Sequence, residues 1–357
     1  MEFGLMFFSS VDREGAGDKY ALLKETARFA DENEFSAIWT PERHFHPFGG
    51  LYPNPALTSC ALAMITQRIS LRAGSLISPL HDAIRIAEEW SLVDNLSRGR
   101  AAVSFGAGWN AKDFVFFPER YQQRQKCMYE QIEAVEKLWR GEALLRTDSF
   151  GNTVEVMLHP RPVQPKLPVW ITSSGSPETF ANAGSRGANI LTHMMGQDIG
   201  LLAQRIQLYR ENRANHGFPA HTGTVSLMLH TFVGDDLDDV YEIVREPLRE
   251  YLRSAISLER VAAATGGSIS GGKVLTDTQA AQSDEDELLD IAFERYFNTS
   301  ALMGTVDTCQ QFVQTLEEIG VDEIACLVDF GVDHGLVRRS LESLARLTAQ
   351  SRTAAMN

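Results

Sequence analysis

Short apolar runs and helix-periodic segments alternate along the whole chain. Glu2 to Ser9 is an apolar run bounded by polar residues, and Lys19 to Asn33 then carries Leu22, Leu23, Ala27, Phe29 and Ala30 at helical spacing. The pattern continues as strand Ala37 to Thr40, helix Pro55 to Thr66, strand Ser70 to Ser78, helix His81 to Leu96, strand Ala101 to Gly106 and helix Arg120 to Arg140. Leu144 to His159 breaks the rhythm as a hairpin pivoting near Gly151-Asn152, before Pro160, Pro162, Pro165 and Pro168 interrupt the chain. Alternation resumes with strand Val169 to Thr172, helix Pro177 to Ala183, strand Ala188 to Leu191, helix Ile199 to His216, strand Thr224 to Val233 and helix Leu237 to Leu258. Residues 262–283 are glycine-rich without periodicity and read as a mobile loop. Helix Thr308 to Ile319, strand Glu323 to Val328 and helix Leu336 to Thr348 close the chain.

Eight strands, each followed by a helix, predict a parallel sheet closed into a (β/α)8 TIM barrel. The fold class is α/β, one barrel domain over 1–357, with insertions at the hairpin near 144–159 and the loop near 262–283. The open doubly wound sheet is the alternative. Against it, the first strand runs into Ser9-Ser10-Val11-Asp12-Arg13-Glu14, which lacks the GxGxxG turn that admits a dinucleotide pyrophosphate. No fixed-period repeat points to a solenoid.

Composition narrows the partners. The chain has 357 residues, 44% apolar and 22% charged, with a formal net charge of −14. Such an acidic balance argues against nucleic acid, which needs a basic footprint. No apolar run reaches the roughly 18 residues that cross a bilayer, so no membrane contact is expected. The opening MEFGLMFFSSVDREG lacks a basic n-region and reads as a strand, not a signal peptide. Cys60, Cys127, Cys309 and Cys326 are scattered and form no CxxC pair, which fits a reducing cytoplasm.

In a barrel the chemistry sits at the C-terminal ends of the strands. After the second strand come Glu42, Arg43, His44, Phe45 and His46, a cluster in which His44 is the best placed for hydrogen bonding or proton transfer. Thr172-Ser173-Ser174-Gly175-Ser176-Pro177 runs from a strand into a helix, with Ser176 at the N-cap and Pro177 at the first helical position. The segment reads either as an ordinary capped helix or as an anion site made of free N–H groups and the helix dipole. His230, on the seventh strand, reads as a core histidine or a site residue. His44, His46, His193 and His230 lack metal-ligand spacing, so no metal site is assigned, and no GxSxG turn supports a serine hydrolase.

WTPERHFHPFGGLYPNP, RAGSLISPLHDAIRIAEEWSLVDNLSRGR, VSFGAGWNAKDF, PVWITSSGSPETFANAG and LMLHTFVG resemble, in this order and spacing, the bacterial luciferase-like flavin monooxygenases. The likeness covers nearly the whole chain and is greatest to the subgroup associated with polyketide and non-ribosomal peptide biosynthesis. It implies an FMNH2- and O2-dependent monooxygenase working through a C4a-(hydro)peroxyflavin, which hydroxylates or N-oxidises a small or carrier-protein-tethered intermediate. It also implies a separate NAD(P)H:flavin reductase as FMNH2 source, and a homodimer. His44 becomes the group at the oxygen adduct, supported by Asp113 and His230. Ser75, Leu76, Ile77, Ala107, Trp109, Asn110, Arg124, Ser174, Gly175 and Ser176 become the FMN contacts, with Arg124 matching a phosphate-binding arginine. A non-proline cis peptide is implied near Leu76-Ile77. Phe8, Glu42, Phe45, His193 and Met194 fall on the substrate side, and 262–283 becomes the lid. The chain departs from its relatives at Ala107, where luciferase has a phosphate-binding arginine, and at Met228, where alkanesulfonate monooxygenases have a sulfonate-binding one. The alternatives are an F420-dependent oxidoreductase of the same fold and a non-catalytic flavin-binding protein; a light-emitting luciferase is disfavoured by Arg43 in place of the first histidine of an EHHF run.

Overall fold

Backbone order follows the alternation in a computed structural model that describes residues 1–8, 17–264 and 282–356. In chain order the elements are β1 (Glu2–Met6), α1 (Ala21–Glu32), β2 (Ala37–Thr40), α2 (Pro55–Ala63), β3 (Ser70–Ile77), α3 (Ala83–Ser97), β4 (Ala101–Gly106) and α4 (Arg124–Arg140). The hairpin β5 (Leu144–Thr147) and β6 (Thr153–Val156) follows, then β7 (Val169–Thr172), α5 (Pro177–Ser185), β8 (Asn189–His193), α6 (Ile199–Asn215), β9 (Val225–Gly234) and α7 (Leu237–Ala264). The rest is α8 (Gln282–Thr299), β10 (Leu302–Thr305), α9 (Val306–Glu318), β11 (Glu323–Leu327) and α10 (His334–Met356).

Eight of these strands close a parallel barrel in the order β9-β11-β1-β2-β3-β4-β7-β8, with β8 returning to β9 through Ile190↔Val225 to His193↔Met228. The (β/α)8 barrel expected from the alternation is therefore the observed fold. Helices pack their apolar stripes on its outside: α1, for example, buries Leu22, Leu23, Thr26, Ala27 and Ala30 along one face. The insertion at 144–159 forms the expected antiparallel hairpin, turning at Gly151 with φ +84°.

Three features differ from the reading of the sequence. The β9 strand outruns its neighbour: its pairing with β11 covers Ser226 to His230, and Thr231 to Gly234 then pair with a short additional strand, β10. The α8 helix was not anticipated either, although Leu289, Phe293 and Phe297 recur every four residues and are all buried. The expected helix over Arg120 to Arg140 starts as a 3-10 turn at Pro118–Gln123 and becomes α-helical at Arg124. Of the anticipated lid over 262–283, residues 265–281 lie outside the described residues.

Side chains from strands that are not neighbours meet inside the barrel and plug its lower half. Arg72 of β3 donates to both Glu323 carboxylate oxygens on β11, at 2.8 and 3.1 Å. Its guanidinium lies 4.8 Å from the Trp39 ring and 4.5 Å from the Trp170 ring, which themselves meet edge to face. The Glu323 carboxylate also accepts from Ser36 and Ser226 hydroxyls, and the Ser226 oxygen accepts from Trp170 Nε1 at 3.1 Å. A buried pair with every oxygen satisfied can be held; one with a partner removed leaves an uncompensated charge. Glu323→Ala is therefore expected to lower the unfolding free energy by about 3–5 kcal/mol in urea titration, while Arg72→Met combined with Glu323→Leu recovers most of it. Equal stability of the single and double variants would refute this account.

Candidate active site

Strand ends build the upper half of the barrel. All eight barrel strands are parallel, so their C-terminal ends surround one cavity of about 610 Å³. Its wall takes Met6 and Phe8 after β1, Pro41 to Arg43 after β2, Gly74, Ser75 and Ile77 of β3, and Gly106 to Trp109 after β4. Thr172 to Ser176 at the end of β7, Leu191 to His193 of β8, Met228 of β9 and Tyr251 of α7 add to it, with Phe48, Arg124 and Arg205 among its other members.

One side of the mouth brings a capped helix start together with two guanidiniums. Ser176 caps α5, its hydroxyl accepting from the Thr179 N–H, and Pro177 occupies the first turn, so the capped helix start is real. Arg124, the first residue of α4, is pinned beside it: Nε donates to Gly108 O at 2.8 Å and Nη1 to Tyr121 O at 2.9 Å. A second guanidinium, Arg205 of α6, reaches the same wall and is held by Gln197, whose amide donates to His193 O at 2.5 Å and to the Thr192 hydroxyl at 3.2 Å. Gly175 admits it. Its φ is +107°, and a Cβ there would stand 2.9 Å from Arg205 Nη1. Nothing local in α6 marks Arg205, and the reading of the sequence did not single it out.

The opposite side carries a buried carboxylate. Glu42 Oε1 accepts from His44 Nε2 at 2.8 Å and from His81 Nε2 at 2.6 Å, and Oε2 accepts from the Ile77 N–H at 2.7 Å. Burial alone would raise the Glu42 carboxyl, but these hydrogen bonds and the His81 charge outweigh it and hold it below its usual range. Burial works in the other sense on His81, where the bond to Glu42 wins and lifts it above the ordinary histidine value. The reading of the sequence passed over His81, although SPLHDA places it just past the catalytic end of β3.

Of the anticipated residues, Phe8, Glu42, Ser75, Ile77, Ala107, Trp109, Arg124, Ser174, Gly175, Ser176 and His193 meet around the cavity. His44, Phe45, Leu76, Asn110, Asp113, Met194 and His230 stand outside its lining. His44 sits behind Glu42 against Phe45 and Phe116. Asn110 caps a 3-10 turn and donates to Asp113 at 2.8 Å. His230 is sealed among Tyr251, Tyr296 and Phe330, with neither ring nitrogen hydrogen-bonded among the described residues; burial drives its pKa down to about 3, with the nearby His193 adding to the shift. A proton carried at neutral pH is not available from such a ring. His193 is likewise neutral, its pKa lowered to about 4 by burial, but its Nδ1 accepts from the Met195 N–H, so Nε2 carries the hydrogen as a donor. The non-proline cis bond lies at Gly74-Ser75, two residues before the expected Leu76-Ile77, where the β3–β4 register shifts. Among the described residues no group of His, Cys, Asp and Glu is placed to hold a metal, and no helix is long and apolar enough to cross a membrane.

The profile of the luciferase-like monooxygenases matches residues 1–323. The chain belongs to that family. It is 24% identical over 347 residues to the oxygenase component of a flavin-dependent trigonelline monooxygenase from Acinetobacter baylyi, covering 93% of this chain and 90% of that one. Over 337 residues it is 24% identical to the 4-hydroxyprotoasukamycin monooxygenase of Streptomyces nodosus subsp. asukaensis, with 91% and 85% covered. The oxygenating constituent of 3,6-diketocamphane monooxygenase from Pseudomonas putida, solved with FMN, shares the fold at TM-score 0.76 and 18% identity, with 98% of each chain covered. Within the family the chain is thus related to flavin-dependent oxidoreductases, one of them named for a natural product.

Asp113 gives a pH test. Burial raises its carboxyl to about 6, against the charges of Arg43 and His44 and the Asn110 hydrogen bond, while Glu42 adds to the rise. A folded-state value above the unfolded one means that the contribution to stability is full below pH ~4 and is lost as pH rises through ~6, by up to about 3 kcal/mol. Asp113→Asn is expected to raise the melting temperature of the protein more at pH 8 than at pH 4. The same increment at both would contradict the assignment.

Proposed function

We propose that the chain is the oxygenase component of a two-component monooxygenase that takes FMNH2 from a separate NAD(P)H:flavin reductase. It uses O2 to hydroxylate or N-oxidise a small natural-product intermediate, free or tethered to a carrier protein. The cradle carries the reading: Arg124, Arg205 and the α5 N-terminus converge on one side of a cavity whose remainder is largely apolar. A phosphate monoester suits two guanidiniums and a helix start. Ala107 does not break the fit, because Arg205 supplies a second cation from α6.

Reduced FMN would supply the electrons that activate oxygen, and this chain's residues would supply placement, dryness and protons. Ser75, Ile77, Gly108 and Trp109 offer a flat wall beside the β3–β4 shift, suited to a planar ring. Phe8, Phe48, Trp109 and Tyr251 exclude water. Glu42 is the acceptor on that wall, and a proton arriving at its carboxylate is one hydrogen bond from His44 or His81. His193 adds a neutral donor through Nε2.

Affinity for FMNH2 and for reduced riboflavin, measured by anaerobic equilibrium dialysis, tests the cradle directly. Loss of one charged hydrogen-bond partner costs about 1.5–3 kcal/mol, so Arg124→Ala and Arg205→Ala should each weaken FMNH2 binding by roughly 10- to 100-fold. Riboflavin, lacking the phosphate, should bind the variants as it binds the unaltered protein. Tighter binding of reduced F420 than of FMNH2, or variants that lose both flavins equally, would remove the basis for this function.

A further inference from the structure

Arg43 is a third cation on the cavity wall, beside Arg124 and Arg205, and the proposed flavin cradle does not use it. It follows β2, whereas the cradle residues follow β4, β7 and β8. Around the barrel β2 lies two strands from β4, three from β7 and, the other way round, four from β8, so Arg43 enters the cavity from a different part of the wall.

The side chain is held without being satisfied. Arg43 is 7% exposed, yet among the described residues its guanidinium donates no hydrogen bond, and the buried Nε has no partner. Its backbone N–H is tied to Tyr52 O at 3.0 Å, which fixes where the side chain leaves the loop. Its guanidinium carbon lies 5.3 Å from the Phe8 ring and 5.2 Å from the Trp109 ring. Gly49, at φ +77°, closes the packing below: a Cβ there would stand 2.8 Å from the Phe8 ring and 3.2 Å from Arg43 Cγ. Asp113 and Tyr251 act on Arg43 electrostatically, but Asp113 forms no ion pair with it, and burial raises the Asp113 pKa to about 6. Arginine keeps its proton even when buried. A buried guanidinium without hydrogen-bond partners is destabilising on a fold, and a ligand that completes its hydrogen bonds offsets that cost.

We propose that Arg43 determines substrate specificity by binding a carboxylate, and that the substrate of this enzyme is an apolar-bodied acid whose carboxylate meets the Arg43 fork between Phe8 and Trp109. A single planar guanidinium flanked by two rings presents its N–H edge to a planar two-oxygen acceptor. It lacks the additional donors that the cradle offers a phosphate. Met228, also on the wall, adds apolar surface and no second cation for a sulfonate. The inference rests on the reading of the cavity as a joint flavin and substrate site. It narrows that reading to substrates with a free carboxylate.

Calorimetry on the full chain with saturating FMN, which blocks the cradle, compares 4-methylbenzoate with the neutral 4-methylbenzamide. The unaltered protein should prefer the acid by about 10-fold or more, the difference a charged hydrogen-bond pair makes. Arg43→Met should abolish that preference while leaving FMN affinity within about 3-fold, well short of one charged contact. Arg43→Lys, which keeps the charge but loses the planar fork, should retain part of it. Because the charge is unpaired, Arg43→Met should melt no lower than the unaltered protein. Equal binding of acid and amide, failure of the acid to bind at millimolar concentration, or an acid preference that survives in Arg43→Met overturns the proposal. So does a loss of FMN affinity in Arg43→Met, which would assign the cation to the flavin. Failure of FMN to bind the unaltered protein, with acid preference intact, would instead remove the flavin reading and leave the carboxylate site standing.

Discussion

The ion pair between Arg72 and Glu323 is the constraint on which the cavity depends. An eight-stranded barrel has just enough interior for side chains to fill, and what fills the lower layers decides how much of the top can stay open. Here those layers hold Arg72 between Trp39 and Trp170, with Glu323 closing the charge and Ser36 and Ser226 taking up its oxygens. Strands β2, β3, β7, β9 and β11 are tied together across the barrel by this one cluster. The strand ends above it need not pack on each other to hold the barrel together.

That division of labour lets the upper half hold groups a packed core would exclude. The Arg43 guanidinium donates no hydrogen bond among the described residues, Asp113 is buried with its carboxyl raised to about 6, and His193 and His230 are neutral. Each is destabilising by itself, and such residues collect where a ligand will meet them. Glu42 is the exception. It is fully coordinated by His44, His81 and Ile77, and so forms the rigid part of the wall beside the unsatisfied Arg43.

Relatives sharing this barrel are named for trigonelline, 4-hydroxyprotoasukamycin and 3,6-diketocamphane, three dissimilar molecules. In a barrel of this kind the loops after the strands can vary while the strands beneath them stay in place, which lets one scaffold serve dissimilar molecules.

The sequence by itself determined the barrel, because strand and helix periods are local and an eight-fold alternation leaves few ways to close. It also determined the start of α5: Ser176, Pro177 and Gly175 carry their capping and φ preferences wherever they occur. It did not reveal α8 and β10, since a four-residue strand such as Leu302–Thr305 has no period of its own and exists because β9 outruns β11. The site was legible only as a neighbourhood. ERHF marked a loop that lines the cavity, but which member faces it follows from how that loop folds over Phe8 and β3: Glu42 and Arg43 line the wall, and His44 stands behind. Arg205 comes from α6 and His81 from the turn after β3, both distant in sequence from ERHF, and His230 is enclosed by the aromatic rings around it. Those assignments belong to the tertiary structure because burial and partnership, which set charge and reach, are properties of what surrounds a residue in space, and neighbours in sequence do not specify them.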